Sequence, residues 1–315
     1  MSKAGVWKKI INNYLIFIGI MVLVIYTCIV QPTFLSWDNL LSLMRSFVPL
    51  AFVSLGMTLI IIGGYIDLSV SGIFSLLSIV GCMLYNRFGV WSMAMIIVLG
   101  GLCGLLTAWV LVRCGARDDS DALFITFGMQ TVFSALALIA NGGLAVTLEQ
   151  TSFTRFIGTG SIVNIPVIML LFIAVAAVLH FIMKKTPMGR SIYLAGGNPV
   201  AAELCGIKVS KIIYITYTLT GILTALGAYI LLCRVGNAIP TVGKNYETNA
   251  IMAVTIGGTS LAGGKGGVLN TILGVALVTI MSNSLNLLGI DANMQSVWKG
   301  VILIAAIWID SRRTV

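Results

Sequence analysis

Apolar runs of bilayer-crossing length, joined by short polar connections, occupy almost all of this 315-residue chain and constrain its fold more than any other feature. A helix needs about 20 mostly apolar residues to cross the hydrocarbon core. Ten such runs lie at roughly 13–30, 47–63, 66–84, 91–112, 122–140, 163–183, 211–232, 250–262, 267–288 and 294–309. The second and third are separated only by Gly63-Gly64-Tyr65, and the eighth is short and glycine-rich. The chain is 58% hydrophobic and 9% charged, with mean hydropathy +1.05. A soluble domain carries about 25% charged residues, so there is too little polar surface here to cover a water-soluble globule. The expectation is an all-α integral membrane protein, one transmembrane domain over residues 1–315, with about ten transmembrane helices, some short or broken.

The net charge of +9 has a membrane explanation, because cytoplasmic connections collect Lys and Arg. With a cytoplasmic N-terminus, the ten runs place Lys3, Lys8, Lys9, Arg113, Arg117, Lys184, Lys185, Arg190, Lys208, Lys211, Lys265, Arg312 and Arg313 inside. Arg45, Arg87, Arg155, Arg234 and Lys244 fall outside, and Lys299 lies in the last run. Thirteen against five supports an even number of crossings with both termini cytoplasmic. The first run is too long for a signal peptide and ends at Gln31-Pro32-Thr33, which reads as a retained span. No basic and aromatic cluster suggests nucleic acid. The six cysteines include no Cys-x-x-Cys pair, and most sit in apolar runs as small hydrophobes. The single histidine, His180, has no metal-ligating neighbours in sequence and reads as a packed or interfacial residue.

Two longer connections, 31–46 and 141–162, are expected outside, either as ordinary loops or as a docking surface for an extracellular partner. Gly100-x-x-x-Gly104 and Gly221-x-x-x-Ala225 have the small-residue spacing that lets helices approach closely in lipid. A Gly-Gly break follows an apolar run twice, at Gly63-Gly64 and Gly257-Gly258.

The chemistry-bearing motifs are few. Gly257 to Gly267 imitates a phosphate-binding loop and fails it. Before Gly264-Lys265 the pattern needs Gly at 259, where Thr stands, and afterwards Ser or Thr at 266, where Gly stands. A broken helix or tight cytoplasmic turn is the better reading. Asp67, with Ser69 and Ser71, either caps the third span or serves a pathway or gate. Glu247 and Asn249, before the eighth span, either cap it or face a polar vestibule. The connection at about 184–211 is the longest cytoplasmic one. Within it Asn198 suits an N-cap, Pro199 the first helical position, and Gly206 the stop after a short helix between glycine hinges. That helix is either a plain connector or a handle for a partner protein. Asp118, Asp119 and Asp121 beside Arg113 and Arg117 read as a solvated loop, and no catalytic constellation is present in the sequence.

Three segments, taken together, resemble the permease family of bacterial ABC importers for ribose, xylose, galactose and related sugars. They are Gly63-Gly64-Tyr65-Ile66-Asp67-Leu68-Ser69-Val70; Gly189-Arg190 with Gly196-Gly197-Asn198, Ala201-Ala202 and Gly206-Ile207; and Ala250 through Ile256 to Gly266, continuing to Asn283, Asn286-Leu287-Leu288-Gly289 and Asp310. The resemblance spans about residues 40–310. It implies two permease subunits around a central path, identical or different, in the bacterial inner (plasma) membrane. It further implies ABC ATPase subunits that hold ATP and Mg, and a periplasmic sugar-binding protein. The chain itself would bind no cofactor and do no covalent chemistry. The resemblance assigns ATPase coupling to Gly189, Arg190, Gly196, Gly197, Asn198, Ala201, Ala202, Glu203 and Gly206. Asp67, Ser69, Glu247 and Asn249 are the pathway or gating candidates. Two departures stand out: the charged stretch Arg113 to Asp121 replaces an apolar, Pro-containing approach, and Asn249 stands where many relatives carry an acid. The alternative is an ion-coupled secondary transporter, for which Asp67 is nearly the only intramembrane acid.

Overall fold

Each apolar run has a helix over most of its described residues. The computed structural model describes residues 19–116 and 119–314; Lys3, Lys8, Lys9, the start of the first run, Arg117, Asp118 and Val315 lie outside them. In chain order the helices are α1 Gly19–Val30, α2 Trp37–Ile62, α3 Val70–Phe88, α4 Ser92–Arg113, α5 Asp119–Ala140, α6 Ser152–Gly158 and α7 Val167–Lys185. They continue as α8 Pro187–Gly197, α9 Pro199–Leu204, α10 Val209–Val235, α11 Tyr246–Ile256, α12 Val268–Leu287 and α13 Ala292–Thr314. Two short antiparallel pairs join β1 Val146–Thr147 to β4 Asn237–Ala238 and β2 Ser161–Ile162 to β3 Ile165–Pro166.

Six segments among the described residues are long and apolar enough to cross a membrane, so the chain is an all-α, multi-pass membrane protein. One of them, the 44-residue Val70–Arg113, divides at a 3-10 turn, Gly89–Trp91, into α3 and α4. These fold back on each other, with Gly81 against Ile96. Helices α1 and α11 are shorter, and α13 carries Lys299 among its apolar residues.

Several boundaries differ from expectation, among them the eighth run, where the helix is Tyr246–Ile256 rather than 250–262 and so includes Glu247 and Asn249. Residues 37–46 form the start of α2 rather than a loop. Ser36 accepts a hydrogen bond from the Asn39 N–H at 3.3 Å, and Asp38 sits in the first turn, so the helix begins ten residues early. The third span starts at Val70 because residues 63–69 are not helical. The connection 141–162 is ordered: α6 has a Thr151–Thr154 capping box, Tyr85 hydrogen-bonds Thr151, and Gly158 lies against the Cys233 backbone.

Helix α10 forms the centre, packed on α2, α3 and α4, with Tyr217 and Tyr229 fully buried. The two small-residue pairs meet each other. A Cβ on Gly100 would strike the Gly221 carbonyl and the Ala225 side chain, and one on Gly104 would strike the Tyr217 carbonyl. The α4 and α10 backbones are therefore in direct contact, as small-xxx-small packing allows. Polar ties join other helices: Asn39 on α2 and Asn283 on α12 exchange amide hydrogen bonds of 3.1 and 2.9 Å.

Candidate functional site

The three motif segments, whose glycine pairs lie about 130 and 66 residues apart along the chain, converge on one point. Each contributes a glycine pair: Gly63-Gly64 after α2, Gly196-Gly197 at the end of α8, and Gly263-Gly264 in the loop before α12. A Cβ on Gly196 would land on the Ile62 carbonyl, and one on Gly263 would meet the Gly196 carbonyl and Gly64 Cα. A Cβ on Gly264 would stand 2.8 Å from Gly197 Cα. The Gly264 N–H donates to the Ile62 carbonyl at 2.9 Å. Only backbones without side chains can approach this closely.

Both helix breaks around this junction have the same build. Gly64 (φ 85°) and Gly258 (φ 94°) occupy the left-handed position just past α2 and α11. The N–H groups of Gly64 and Tyr65 return to Ile61 and Ile60, and those of Gly258 and Thr259 to Thr255 and Val254. This double bond pattern is the Schellman helix stop, which favours glycine at that position. The recurrent Gly-Gly signal in the sequence thus corresponds to a shared local structure.

Backbone freed by a break inside a membrane protein must find partners within the protein. At the first break, Leu68 N–H donates to Thr126 Oγ1 at 3.1 Å, and Tyr217 Oη donates to the Ile66 carbonyl at 3.3 Å. Asp67, 1% exposed, accepts from the Ser69 N–H at 2.8 Å and from Ser69 Oγ at 2.6 Å through Oδ1. That carboxylate organises the start of α3. At the second break, Ser260 N–H donates to the Lys265 carbonyl at 3.1 Å, and Tyr193 Oη on α8 donates to the Gly266 carbonyl at 3.0 Å.

The residues leading to the junction form a rigid arm. Gly189 is buried in α8 against the Ile182 and Met183 carbonyls, while Arg190 is exposed. The Asn198 side chain accepts from the Ala201 N–H at 3.0 Å, Pro199 opens α9, and Gly206 (φ 83°) ends it with bonds from Gly206 and Ile207 to Glu203 and Ala202. Ala202 is buried, whereas Ala201, Val200, Glu203 and Leu204 are exposed. Helix α8, unforeseen in the sequence, changes one detail. Gly196 is not a loose hinge; it is buried in the last turn of α8.

The family profile for the permease component of branched-chain amino acid transport systems matches residues 39–307. The chain belongs to this permease family. The permease is 35% identical over 300 residues to the ribose import permease of Bacillus subtilis (strain 168), covering 95% of this chain and 92% of the relative. It is 31% identical to a probable ABC transporter permease of Escherichia coli (strain K12), over 95% and 91% of the two chains. It is 28% identical to an autoinducer 2 import system permease of Salmonella paratyphi A (strain ATCC 9150 / SARB42), over 89% and 85%. No solved structure matches it significantly. The permease is thus a translocation subunit of an import system.

The pathway candidates form two groups that adjoin across α3 and α11, where the Glu247 side chain hydrogen-bonds Ser71. Asp67 and Ser69 lie at the first break, bonded to each other. Glu247 is buried in the first turn of α11, with Oε2 lacking a hydrogen-bond partner among the described residues, and Asn249 is half-buried beside a cavity. Sequence reading missed Tyr193, Thr126 and Tyr217. Their only signal is a polar tip within an apolar run, which many packed Thr and Tyr residues share.

Proposed function

We propose that this permease imports a sugar or sugar-like solute across the bacterial inner membrane as the membrane subunit of an ATP-driven ABC importer. It works with a second permease copy or partner, ATPase subunits that hold ATP and Mg, and a periplasmic sugar-binding protein. The ten helical runs then make ten crossings with both termini cytoplasmic. The observation that carries this reading is the exposed helix α9. It projects Val200, Glu203 and Leu204 outward, yet through α8 it is joined backbone-to-backbone with the first helix break at Gly63-Gly64 and with the Gly263-Gly264 loop that follows the second. A partner that moves α9 moves the junction, which biases two membrane-embedded states. The family description names amino acids, while similar permeases import ribose and autoinducer 2. Similarity over nearly the full chain favours the sugar-like class. An ion-coupled carrier gains little from Asp67, because its Oδ1 is already taken by Ser69.

Glu203→Lys and Gly206→Pro test the coupling role. Proline cannot adopt φ near 83° and lacks the N–H that bonds Glu203, so the helix stop is lost. Both variants are expected to insert normally, lose copurifying ATPase and transport at background level. Normal uptake by either would remove the assignment. A topology reporter fused after Val315 is expected to be active only in the cytoplasm, and periplasmic activity would overturn the orientation.

A further inference from the structure

A cavity of about 410 Å³ opens between the start of α11 and α13. Lys244, Asn245, Asn249, Gln295, Ser296 and Lys299 line it, beside Met252 and Leu303. Small-molecule sites fall at roughly 300–1,000 Å³ and place a few polar groups on an apolar wall. A wide cleft at the α9–α10 turn also carries Lys208 and Lys211, but with Glu203 beside them, and two further cavities are apolar. One is walled by residues such as Ile20, Leu23 and Met281, another by Phe47, Phe172 and Ala276, as hydrocarbon-facing grooves would be.

The cavity carries a positive sign from three sources. Lys299 is half-buried on α13 next to Trp298 and Gly300, with no hydrogen bond or ion pair among the described residues. An ammonium held within an apolar helix is costly, and such residues mark solute or ion paths. Lys244 supplies a second cation. Helix α11 supplies the third. It is 11 residues long, begins at this cavity and ends inside the protein at the Gly257-Gly258 break. Its N-terminus is the positive end of the helix dipole, and broken helices in transporters present that end to anionic groups. The nearby acids do not line the cavity. Glu247, buried in the first turn of α11, offsets part of that helix's positive end and of the Lys244 charge, and Asp291 Oδ1 accepts from the Asn293 and Met294 N–H groups, so Lys299 carries most of the positive sign. Gln295 is fixed: its Nε2 donates to Asn286 Oδ1 at 2.7 Å and to the Ile290 carbonyl at 2.9 Å. Its Oε1 is left to accept from a hydroxyl.

We infer that this cavity is the solute-contact site of the permease, and that it takes a hydroxyl-rich solute bearing a carboxylate or phosphate group. The inference rests on the importer reading and deepens it. Lys299 sets the preference for the anionic group, and Asn249, Gln295 and Ser296 meet hydroxyls. The opposite end of α11 leads through Thr259, packed against Gly266, into the loop that carries Gly263-Gly264, so occupancy at one end and α9 movement at the other reach the same short helix.

Cysteine placed at Ser296 (Ser296→Cys), with rates corrected for the parent chain and its six free cysteines, probes the cavity without knowledge of the solute. The assembled importer is reconstituted in liposomes of zwitterionic lipid and treated from outside with an anionic or a cationic methanethiosulfonate. Rates are divided by those for 2-mercaptoethanol, a neutral thiol. The anionic reagent is expected to react roughly tenfold faster, in the range of electrostatic steering. Lys299→Gln in the same background is expected to bring the ratio near one. Equal rates that ignore Lys299→Gln would overturn the inference, as would no reaction with either reagent, which would mean a protein or lipid surface. Repeating the measurement with one-third anionic lipid separates the other source of phosphate: loss of the preference there would mean a lipid headgroup site and sink the solute assignment. Copurification of an ATPase is scored separately, so a charge-selective cavity in a chain without an ATPase would retire the importer reading while leaving the cavity's selectivity standing.

Discussion

Gly196→Ala is expected to reduce solute uptake to about one hundredth of the parent rate or less. The added Cβ falls on the Ile62 carbonyl and crowds the Gly63 backbone, so no flexible side chain can yield. Overpacking a filled site costs about 1–3 kcal/mol, and each 1.36 kcal/mol corresponds to about a factor of ten. The relief available is for α8 to withdraw from α2, which separates α9 from the first helix break and from the Gly263-Gly264 loop. Uptake per mole of membrane-inserted, monodisperse protein is the measurement. Parent-like uptake would show that the junction does not stay closed during transport. If the variant fails to insert, Tyr193→Phe carries the test. It removes only the hydrogen bond to the Gly266 carbonyl, a contact worth about 0.5–1.5 kcal/mol. Uptake is expected to fall about three- to tenfold with ATP hydrolysis largely retained, because the tie transmits movement rather than binding nucleotide. A proportional loss of both would make Tyr193 a purely structural residue.

Gly104→Leu is expected to destabilise the permease by about 3 kcal/mol, the upper end of overpacking effects. Its Cβ would meet the Tyr217 carbonyl, with Thr218 Cα behind it, so the obstacle is the backbone of α10 itself. Separating α4 from α10 also displaces Tyr217, whose hydroxyl serves the Ile66 carbonyl at the first helix break. The check is the unfolding midpoint in detergent mixtures against Gly128→Leu, a glycine with open space around it. Equal midpoints would show that close α4–α10 contact does not hold the fold. Polar ties between membrane helices contribute little individually, so loss of this packing should dominate over loss of the Tyr217 bond.

Much of this was legible in the chain itself. Apolar length fixed where the helices run, because the bilayer admits only backbone that satisfies its own hydrogen bonds. Asn198, Pro199 and Gly206 announced α9, since capping is local chemistry among residues a few places apart. The spacing of Gly100 with Gly104 and of Gly221 with Ala225 announced close contacts, but only the fold paired the two sets. Helix α8 escaped because its polar residues mask the Ile192 and Ala195 face that packs inward, and the early start of α2 because residues 37–46 are interspersed with polar side chains and not buried. What only the tertiary structure decided is long-range coincidence. Three glycine pairs, each an ordinary helix-breaking signal alone, occupy one junction, and Lys299 and Asn249 line one cavity. Sequence spacing reports contacts along one helix or one turn. The meeting of residues 63, 196 and 263 depends on how α2, α8 and the loop before α12 pack together, and that is set by the whole assembly of helices.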